Sequence, residues 1–514
     1  MRKYINKSAL KVLTISLLST SLLLVACVDL DEDVAEARLD PSNLNSQEAL
    51  EASITGTYKA LGLAAKWSQF WINSFGGDDL TTHSGKNKIA FREADTRILT
   101  SASARINTAY EESYKIIKEA NNIIENEANF EGNDQDALDR LIGEAYFLRA
   151  FSYMHLTHTY GRVPLNLTVA IENDLGYSEI IDIYKQIEAD LLKAEILLPN
   201  KYPAVNAAIR PSNGSARAML AKLYLHWAGY PLKDTDKYAM AAASAKTVID
   251  NAGSHGFALV PDMNTLWSTT DENRLNSEIV FGVAHCVPCG NTYANRHSGK
   301  LGYPSSMGGW NEIFAEIGMF EAFPEGPRKD ATYVIEGKLK KDDSDGIHKK
   351  GDVVSWTEFD DEAHPMFRKI TGHLSEIPAN SSSTSMTTYF MRYADVLLIY
   401  AEAEGRSGGN ASDAWEAMNK VRRRANGLPV DTANASVDVT SGDLAEIAFT
   451  ERKWEFAGEY IRWGDLVRME RVASALGTRS ATEPVGPITG STAPENYFSP
   501  MPQSEIDKAP QLGK

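Results

Sequence analysis

One run of carboxylates has the residue types and spacing that catalysis would require. Glu451, Glu455 and Glu459 follow one another at intervals of four residues, which places them on one face of a helix. Glycoside hydrolases also use a pair of carboxylates, but they hold the two acids across a cleft. Because Arg452 and Arg468 are close in sequence, the pattern favours a structural ion-pair network. A glycoside hydrolase is the remote alternative.

A second pattern resembles the serine elbow of hydrolases. The run Gly405-Arg-Ser-Gly-Gly409 formally matches G-x-S-x-G, but that elbow needs a strand before the serine. A helical pattern precedes it here, so we predict a helix end followed by a turn. The sequence contains no H-E-x-x-H, phosphate loop or G-x-G-x-x-G. We therefore expect a protein that is not an enzyme, and we assign no cofactor and no metal.

The chain has three cysteines, and two of them form the motif Cys286-Val-Pro-Cys289 between His285 and His297. A short-range disulfide is the interpretation that suits an exported protein. Two free thiols are an alternative. A zinc site has the right ligand types, but a single C-x-x-C is a weak signal for it.

Two irregular segments are rich in aromatic residues. The first covers residues 67–101 and the second about 254–388, and both contain many Gly, Ser, Thr and Asn residues. Sugar rings have apolar faces that stack on Trp and Tyr, whereas Asn, Asp and Arg bind their hydroxyl groups. Long ordered loops in compact domains are usually functional. For any single ring, packing in the core is the plainer alternative.

Helical periodicity dominates the rest of the chain and predicts the elements that hold these loops. The predicted helices are Ser46–Leu61, Ile106–Ala128, Ser178–Leu198, Pro211–Ala228, Asp236–Ala252, Met391–Arg406, Ser412–Ala425, Asp443–Glu459 and Ile461–Val472. They come in pairs joined by short turns, a pattern typical of helical-repeat proteins. The stretch Ala137–Leu165 is apolar almost all round, so it should form a central, buried helix whose Glu144 and Arg149 make scaffold contacts.

The N-terminal sequence has the features of an export signal. Arg2, Lys3 and Lys7 precede an apolar run that ends in the sequence LVAC, with Cys27 where bacterial lipoproteins are cleaved and acylated. Residues 1–26 are thus predicted to be a lipoprotein signal peptide and residues 27–42 an acidic, lipid-anchored tether. No later stretch is apolar enough to cross a bilayer. The formal charge of −17 argues against non-specific nucleic-acid binding.

Five segments together resemble one family. They are LVAC at Cys27, EAYFLRAFSYMHLTHTYGRVPL from Glu144, RYADVLLIYAEAE from Arg392, ERKWEFAGEYIRWGDLVRM from Glu451 and PMPQSEIDKAPQL from Pro500. Because all five segments occur in this order, the chain resembles the RagB/SusD family of outer-membrane nutrient-binding lipoproteins over nearly its whole mature length. The cysteine pair at 286 and 289 does not belong to the family pattern.

The resemblance implies a mainly α fold. About four tetratricopeptide-like helix pairs would pack against an irregular, loop-rich half, as one domain over residues 43–514 with the loop-rich insertion at about 254–390. It also implies a non-catalytic protein of the outer membrane, lipid-anchored and exposed at the surface. Such a protein binds oligo- or polysaccharide and passes it to a SusC-like TonB-dependent transporter. The same architecture could instead bind peptides or another nutrient.

The family's ligand-binding residues lie in variable loops, so candidates are chosen by position. They are Asn87, Phe91 and Arg92 in the first segment and Tyr293, Tyr303 and Trp310 in the insertion. The net negative charge slightly disfavours an acidic glycan. However, basic side chains crowd both segments, and local contacts outweigh net charge over a Debye length of about 8 Å. A neutral β-glucan-like polysaccharide and a uronic-acid polymer such as alginate both remain open.

Overall fold

The computed structural model describes residues 44–132, 134–170, 174–202, 209–290, 293–296, 301–359, 363–376 and 383–513. The predicted signal peptide, Cys27 and the acidic tether lie outside these residues. The chain is 52% helix and 6% strand, which confirms the mainly α prediction. Within the described residues, no helix combines the length and apolar character that a membrane span needs.

The long helices match the periodic segments of the sequence closely. They are Gln47–Ala65 (α1), Asn107–Glu125 (α2), Gln135–Tyr160 (α3), Ile180–Leu197 (α4), Asn213–Trp227 (α5), Lys237–Asp250 (α6), Tyr393–Arg406 (α7), Ser412–Ala425 (α8) and Leu444–Glu455 (α9). In the described part of the chain α1 packs on α2, α3 on α4, α5 on α6 and α7 on α8, and each pair contacts the next. This is the tetratricopeptide-like stack that we predicted.

Helix α3 is the buried centre of the stack. Its 26 residues begin after the cap Asp134, whose side chain accepts from the Ala137 N–H, and end at Gly161 with φ of 73°. The few polar side chains are used inside the scaffold. Arg149 pairs with Asp190 at 2.7 Å, and the buried Glu144 accepts from Arg210 at 2.7 Å. These groups make scaffold contacts, as their position on an all-round apolar helix predicts.

The loop-rich half is held together by short strands and helices. The strands are Leu80–Thr82 (β1), Ile279–Val283 (β2), Ile313–Ala315 (β3), Tyr333–Val334 (β4), Glu336–Lys338 (β5), Val353–Ser355 (β6), Met366–Phe367 (β7) and Thr388–Arg392 (β8). The short α-helices are Ile89–Asp95, Ala252–His255, Ile317–Ala322, Pro327–Thr332, Arg368–Thr371, Arg462–Arg468, Val472–Leu476 and Gln503–Lys508. The described strands pair antiparallel as β1–β3, β2–β8, β4–β7 and β5–β6.

The β1–β3 ladder joins the two aromatic-rich segments. Leu80 faces Ala315 and Thr82 faces Ile313, so the first irregular segment lies beside the insertion. The strands have only three residues each. Their burial on both faces gives no alternating pattern, which is why the sequence did not predict this contact.

The three glutamates of the helical carboxylate run are ion-paired and largely buried. Glu455 accepts from Arg392 at 3.0 Å and from Arg424 at 2.5 Å. Glu451 pairs with Arg328 at 2.6 Å, and Glu459 pairs with Lys369 at 2.7 Å. A hydrolytic acid pair needs an open cleft between its two carboxyl groups. The prediction of a structural ion-pair network is therefore confirmed.

The serine of the G-x-S-x-G match lies in a turn after a helix. Helix α7 ends at Arg406, and the Ser407 hydroxyl donates to the Glu404 carbonyl at 2.9 Å. Gly408 then adopts φ of 85°, which lets the chain reverse. A nucleophile elbow needs a strand before the serine. The predicted helix end and turn are confirmed.

Candidate ligand-binding surface

Two tryptophans from the two irregular segments form the centre of the candidate surface. The rings of Trp67 and Trp310 have centroids 6.2 Å apart and planes inclined by only 17°. Both side chains are partly exposed, which is uncommon for two adjacent indoles. The two rings are stacked on one another, and the part of them that reaches solvent forms an aromatic platform of the kind that sugar rings pack on.

Local backbone geometry places each tryptophan. Trp67 precedes a 3₁₀ helix, Ser68–Gly76, that starts directly after α1. Trp310 lies in a tight turn in which Gly308 has φ of 81° and Asn311 has φ of 58°. At Gly309 a Cβ atom would lie 1.9 Å from the Tyr303 carbonyl oxygen, so this position requires glycine.

Basic side chains surround the two rings. The guanidinium carbon of Arg296 lies 5.5 Å from the centroid of the Trp67 ring, in cation–π contact. The Lys88 ammonium donates to the Trp310 carbonyl at 2.5 Å and lies 3.3 Å from a carboxylate oxygen of Glu312. Lys66, at the end of α1, is close enough to Arg296 for the two cations to interact electrostatically.

A disulfide lies close in sequence to Tyr293. Cys286 and Cys289 are joined, with Cα atoms 5.3 Å apart. The Cys286 N–H donates to the Tyr293 carbonyl at 2.8 Å, so the loop returns on itself. The Tyr293 side chain is 46% exposed and is free of the core. Because its ring is exposed, Tyr293 is available to a ligand.

The three candidates of the first segment have different surroundings. Asn87 is exposed in a short 3₁₀ helix, Lys86–Lys88. Phe91 is 2% exposed and stacks on Phe75, with centroids 5.0 Å apart. Its ring therefore belongs to the core, and the prediction that it contacts ligand is corrected. Arg92 donates to the carbonyls of residues 83–85, which holds the loop before it in place.

The three candidates of the insertion also differ in how exposed they are. Trp310 and Tyr293 are accessible, as described above. Tyr303 is 4% exposed, and its hydroxyl donates to the Thr371 carbonyl at 3.2 Å. This ring also lies in the core, so its prediction as a ligand contact is corrected for the same reason. Large aromatic residues in loops are mostly buried, and periodicity cannot identify the exceptions.

Three residues of the surface were absent from the sequence-based candidates. Trp67 is one of the aromatic residues of the first irregular segment, and Arg296 is one of the basic residues of the second, but neither is among the six chosen candidates. Lys66 gave no signal, because its helical pattern is that of α1. The pairing of β1 with β3 places the segment that begins at Trp67 beside the insertion that carries Trp310.

Two buried groups, one in the first irregular segment and one in the helical stack, have shifted pKa values. Burial raises the pKa of Asp79 to about 7, although the Gly458 N–H donates to its carboxylate at 2.9 Å and opposes that shift. Burial lowers the pKa of His158 to about 3. His158 lies beside His226 in a cavity of about 110 Å³ within the scaffold. Among the described residues, no group of three or more His, Cys, Asp or Glu side chains could hold a metal ion.

Comparison with known families supports one assignment for most of the chain. A family described as "SusD family" matches residues 278–514. A second, described as "Starch-binding associating with outer membrane", matches residues 29–225. Together the two matches cover most of the helical stack and the insertion from residue 278 on, and residues 226–277 lie between them.

Individual proteins are similar over almost the full length. The chain is 25% identical to SusD-like protein P2 of Formosa agariphila over an alignment of 530 positions, which covers 98% of this chain and 97% of that relative. A SusD homolog from Bacteroides thetaiotaomicron superposes with a TM-score of 0.75 at 22% identity, covering 93% of this chain and 98% of that one. A laminarin-binding SusD-like protein gives a TM-score of 0.72 at 23% identity, with 90% and 97% covered. These structures share the fold of this chain.

Proposed function

The chain belongs to the SusD family, and on that premise we propose that it is a cell-surface glycan-binding lipoprotein. It captures oligo- or polysaccharide and delivers it to a SusC-like TonB-dependent transporter of the outer membrane. Cys27 carries the lipid anchor. The family is one of carbohydrate-binding, non-catalytic proteins, so no reaction is assigned to the chain.

The observation that carries this proposal is the partly exposed pair Trp67 and Trp310. Their rings lie 6.2 Å apart in nearly parallel planes, with the accessible ring of Tyr293 in the same loop-rich half. Rigid aromatic rings bind the apolar faces of sugars with little loss of conformational entropy. Arg296 beside Trp67 supplies donors for hydroxyl or acidic groups.

Calorimetry with the unacylated mature chain tests the proposal. Titration with a broad panel of oligosaccharides should find at least one ligand. The double variant Trp67→Ala, Trp310→Ala should weaken its binding at least tenfold, because it removes both rings of the platform. The matched control is Tyr146→Ala, a partly exposed aromatic residue on helix α3. That control should bind with unchanged affinity.

The outcome that contradicts the proposal is the absence of binding across the whole panel. Binding of peptides instead of oligosaccharides by the same surface would support a peptide-binding member of the same architecture. Equal affinities of the wild type and the double tryptophan variant for a glycan would place the binding site elsewhere on the chain.

A further inference from the structure

The platform formed by Trp67 and Trp310 carries an excess of positive charge. Lys66 directly precedes Trp67 in the chain, and the guanidinium carbon of Arg296 lies 5.5 Å from the centroid of the Trp67 ring. Partial burial and the charge of Arg296 lower the pKa of Lys66. Two neighbouring cations repel one another, so each raises the cost of the other unless an anion is nearby. The side chains that flank this aromatic platform therefore attract negative charge.

Neither cation is neutralised within the described part of the chain. Lys88 has Glu312 as its partner at 3.3 Å, whereas no carboxylate there pairs with Lys66 or Arg296. The Nε atom of Arg296 is buried and has no hydrogen-bond acceptor among the described residues. The residues at 291–292 and 297–300 are Asn, Thr, His, Ser, Gly and Lys, so the immediate sequence supplies no acid. An unmet buried donor on a guanidinium is costly unless an acceptor reaches it.

This local charge differs in sign from that of the whole molecule. The chain has a formal charge of −17, and a long-range field of that sign repels anions. Over the few ångströms between a bound sugar and these cations, screening by salt is weak because the Debye length is about 8 Å. The adjacent cations therefore decide what the platform prefers.

We infer that this surface selects an anionic glycan, one that bears carboxylate or sulfate groups on its sugar rings. The sugar faces pack on Trp67 and Trp310, and an acidic group lies between Lys66 and Arg296. A guanidinium binds carboxylate and sulfate oxygens through charge-assisted hydrogen bonds, with an ammonium as a second positive centre. The inference rests on the proposed glycan-binding function and adds the class of ligand.

The experiment compares three oligosaccharides of equal length by calorimetry. One is an oligogalacturonate, one a sulfated galactan fragment and one a neutral galacto-oligosaccharide. At low salt, at least one acidic oligosaccharide should bind at least tenfold more tightly than the neutral one. The tighter of the two acidic ligands identifies whether carboxylate or sulfate is the natural group.

A charge-matched pair of variants assigns the effect to these side chains. Lys66→Gln combined with Arg296→Gln should weaken acidic binding at least tenfold, and by a clearly larger factor than it weakens neutral binding. The control is Lys185→Gln combined with Lys193→Gln, which removes the same charge from the exposed face of α4. That control should leave the affinity for every ligand unchanged.

Two outcomes would overturn the inference, and they can be told apart. Tighter binding of the neutral oligosaccharide refutes the anionic preference but keeps the glycan-binding function. Binding of none of the three, nor of any glycan in the broad panel, refutes the function itself. If the combined variant does not fold, the single variants Lys66→Gln and Arg296→Gln take its place, and unchanged acidic binding in both overturns the inference.

Discussion

Arg392 and Glu455 are both fully buried, and the guanidinium Nη2 donates to the carboxylate Oε1 at 3.0 Å. Burial alone would raise the pKa of Glu455, but Arg424 and Arg392 outweigh it and hold the value at about 2. The pair connects the strand before helix α7 to helix α9. A residue run that first suggested catalysis thus joins the helical stack to the loop-rich half.

Replacement of this carboxylate should be strongly destabilising. Glu455→Gln leaves several buried guanidinium groups without their anion, and breaking a buried ion pair in this way costs about 3–5 kcal/mol. Chemical denaturation at pH 7 measures the loss. Since the folded pKa of about 2 lies below the ordinary value of 4.5, this stability is present above pH 4.5 and is lost as the pH falls toward 2.

An exposed pair provides the control for that variant. Glu179 pairs with Arg162 at 3.1 Å, and both side chains are more than half exposed. Glu179→Gln should cost less than about 1 kcal/mol, because exposed ion pairs contribute little. Equal losses in Glu455→Gln and Glu179→Gln would contradict a stabilising role for the buried network.

The Asp79 carboxyl should make stability fall as the pH rises. Its folded pKa of about 7 lies above the ordinary 3.8, so between these values the folded chain holds a proton that the unfolded chain has lost. Asp79→Asn removes this dependence and can still accept the Gly458 N–H. Relative to wild type, its free energy of unfolding should therefore increase by roughly 2–3 kcal/mol between pH 5 and pH 8.

Denaturation curves at the two pH values measure this change. The exposed Asp271→Asn serves as the control, and it should alter the free energy of unfolding by less than about 0.5 kcal/mol at both. A constant difference between Asp79→Asn and wild type from pH 5 to pH 8 would show that Asp79 is ionised in the folded chain.

The positions of the long helices could be predicted well from the sequence, because each helix is long and has a regular hydrophobic period. Ser412–Ala425 was predicted with the bounds that the structure has, and the other long helices differ by a few residues at their ends. The binding surface could not be predicted in the same way. Its residues come from segments that are distant in the sequence and are joined only by three-residue strands. Composition identified both aromatic-rich segments, but it could not separate the buried Phe91 from the exposed Tyr293, since that depends on tertiary packing.

The turn that presents Trp310 should not tolerate a side chain at Gly309. A Cβ atom there would lie 1.9 Å from the Tyr303 carbonyl oxygen, so Gly309→Ala must displace the backbone of the turn. We expect lost stability and at least tenfold weaker glycan binding, measured by thermal melting and calorimetry. Gly56→Ala on α1 is the control, because no atom lies within 4 Å of its added Cβ. That variant should bind normally and be stabilised by up to about 1 kcal/mol.

The disulfide should matter more for binding than for stability. Cys286→Ser with Cys289→Ser removes a very short cross-link, for which loop-closure entropy gives about 2 kcal/mol. In a chain of this size that corresponds to a Tm change of a few degrees. The segment around Cys286, whose N–H donates to the Tyr293 carbonyl, becomes more mobile, so affinity for the glycan should fall severalfold. Unchanged affinity in calorimetry would mean that Tyr293 does not contact the ligand.

Cys27 should account for membrane attachment on its own. No helix within the described residues could span a bilayer, whereas acyl chains contribute about 0.8 kcal/mol for each buried CH₂ group, and a multiply acylated cysteine anchors firmly. Cys27→Ser should therefore move the protein from the outer-membrane fraction to the soluble fraction, as followed by fractionation and labelling with a fatty-acid analogue. The control is the double variant Cys286→Ser, Cys289→Ser, which makes the same kind of replacement away from the anchor. It should stay membrane-bound. Retention of Cys27→Ser in washed membranes would indicate attachment through a protein partner, such as the proposed transporter, rather than through lipid.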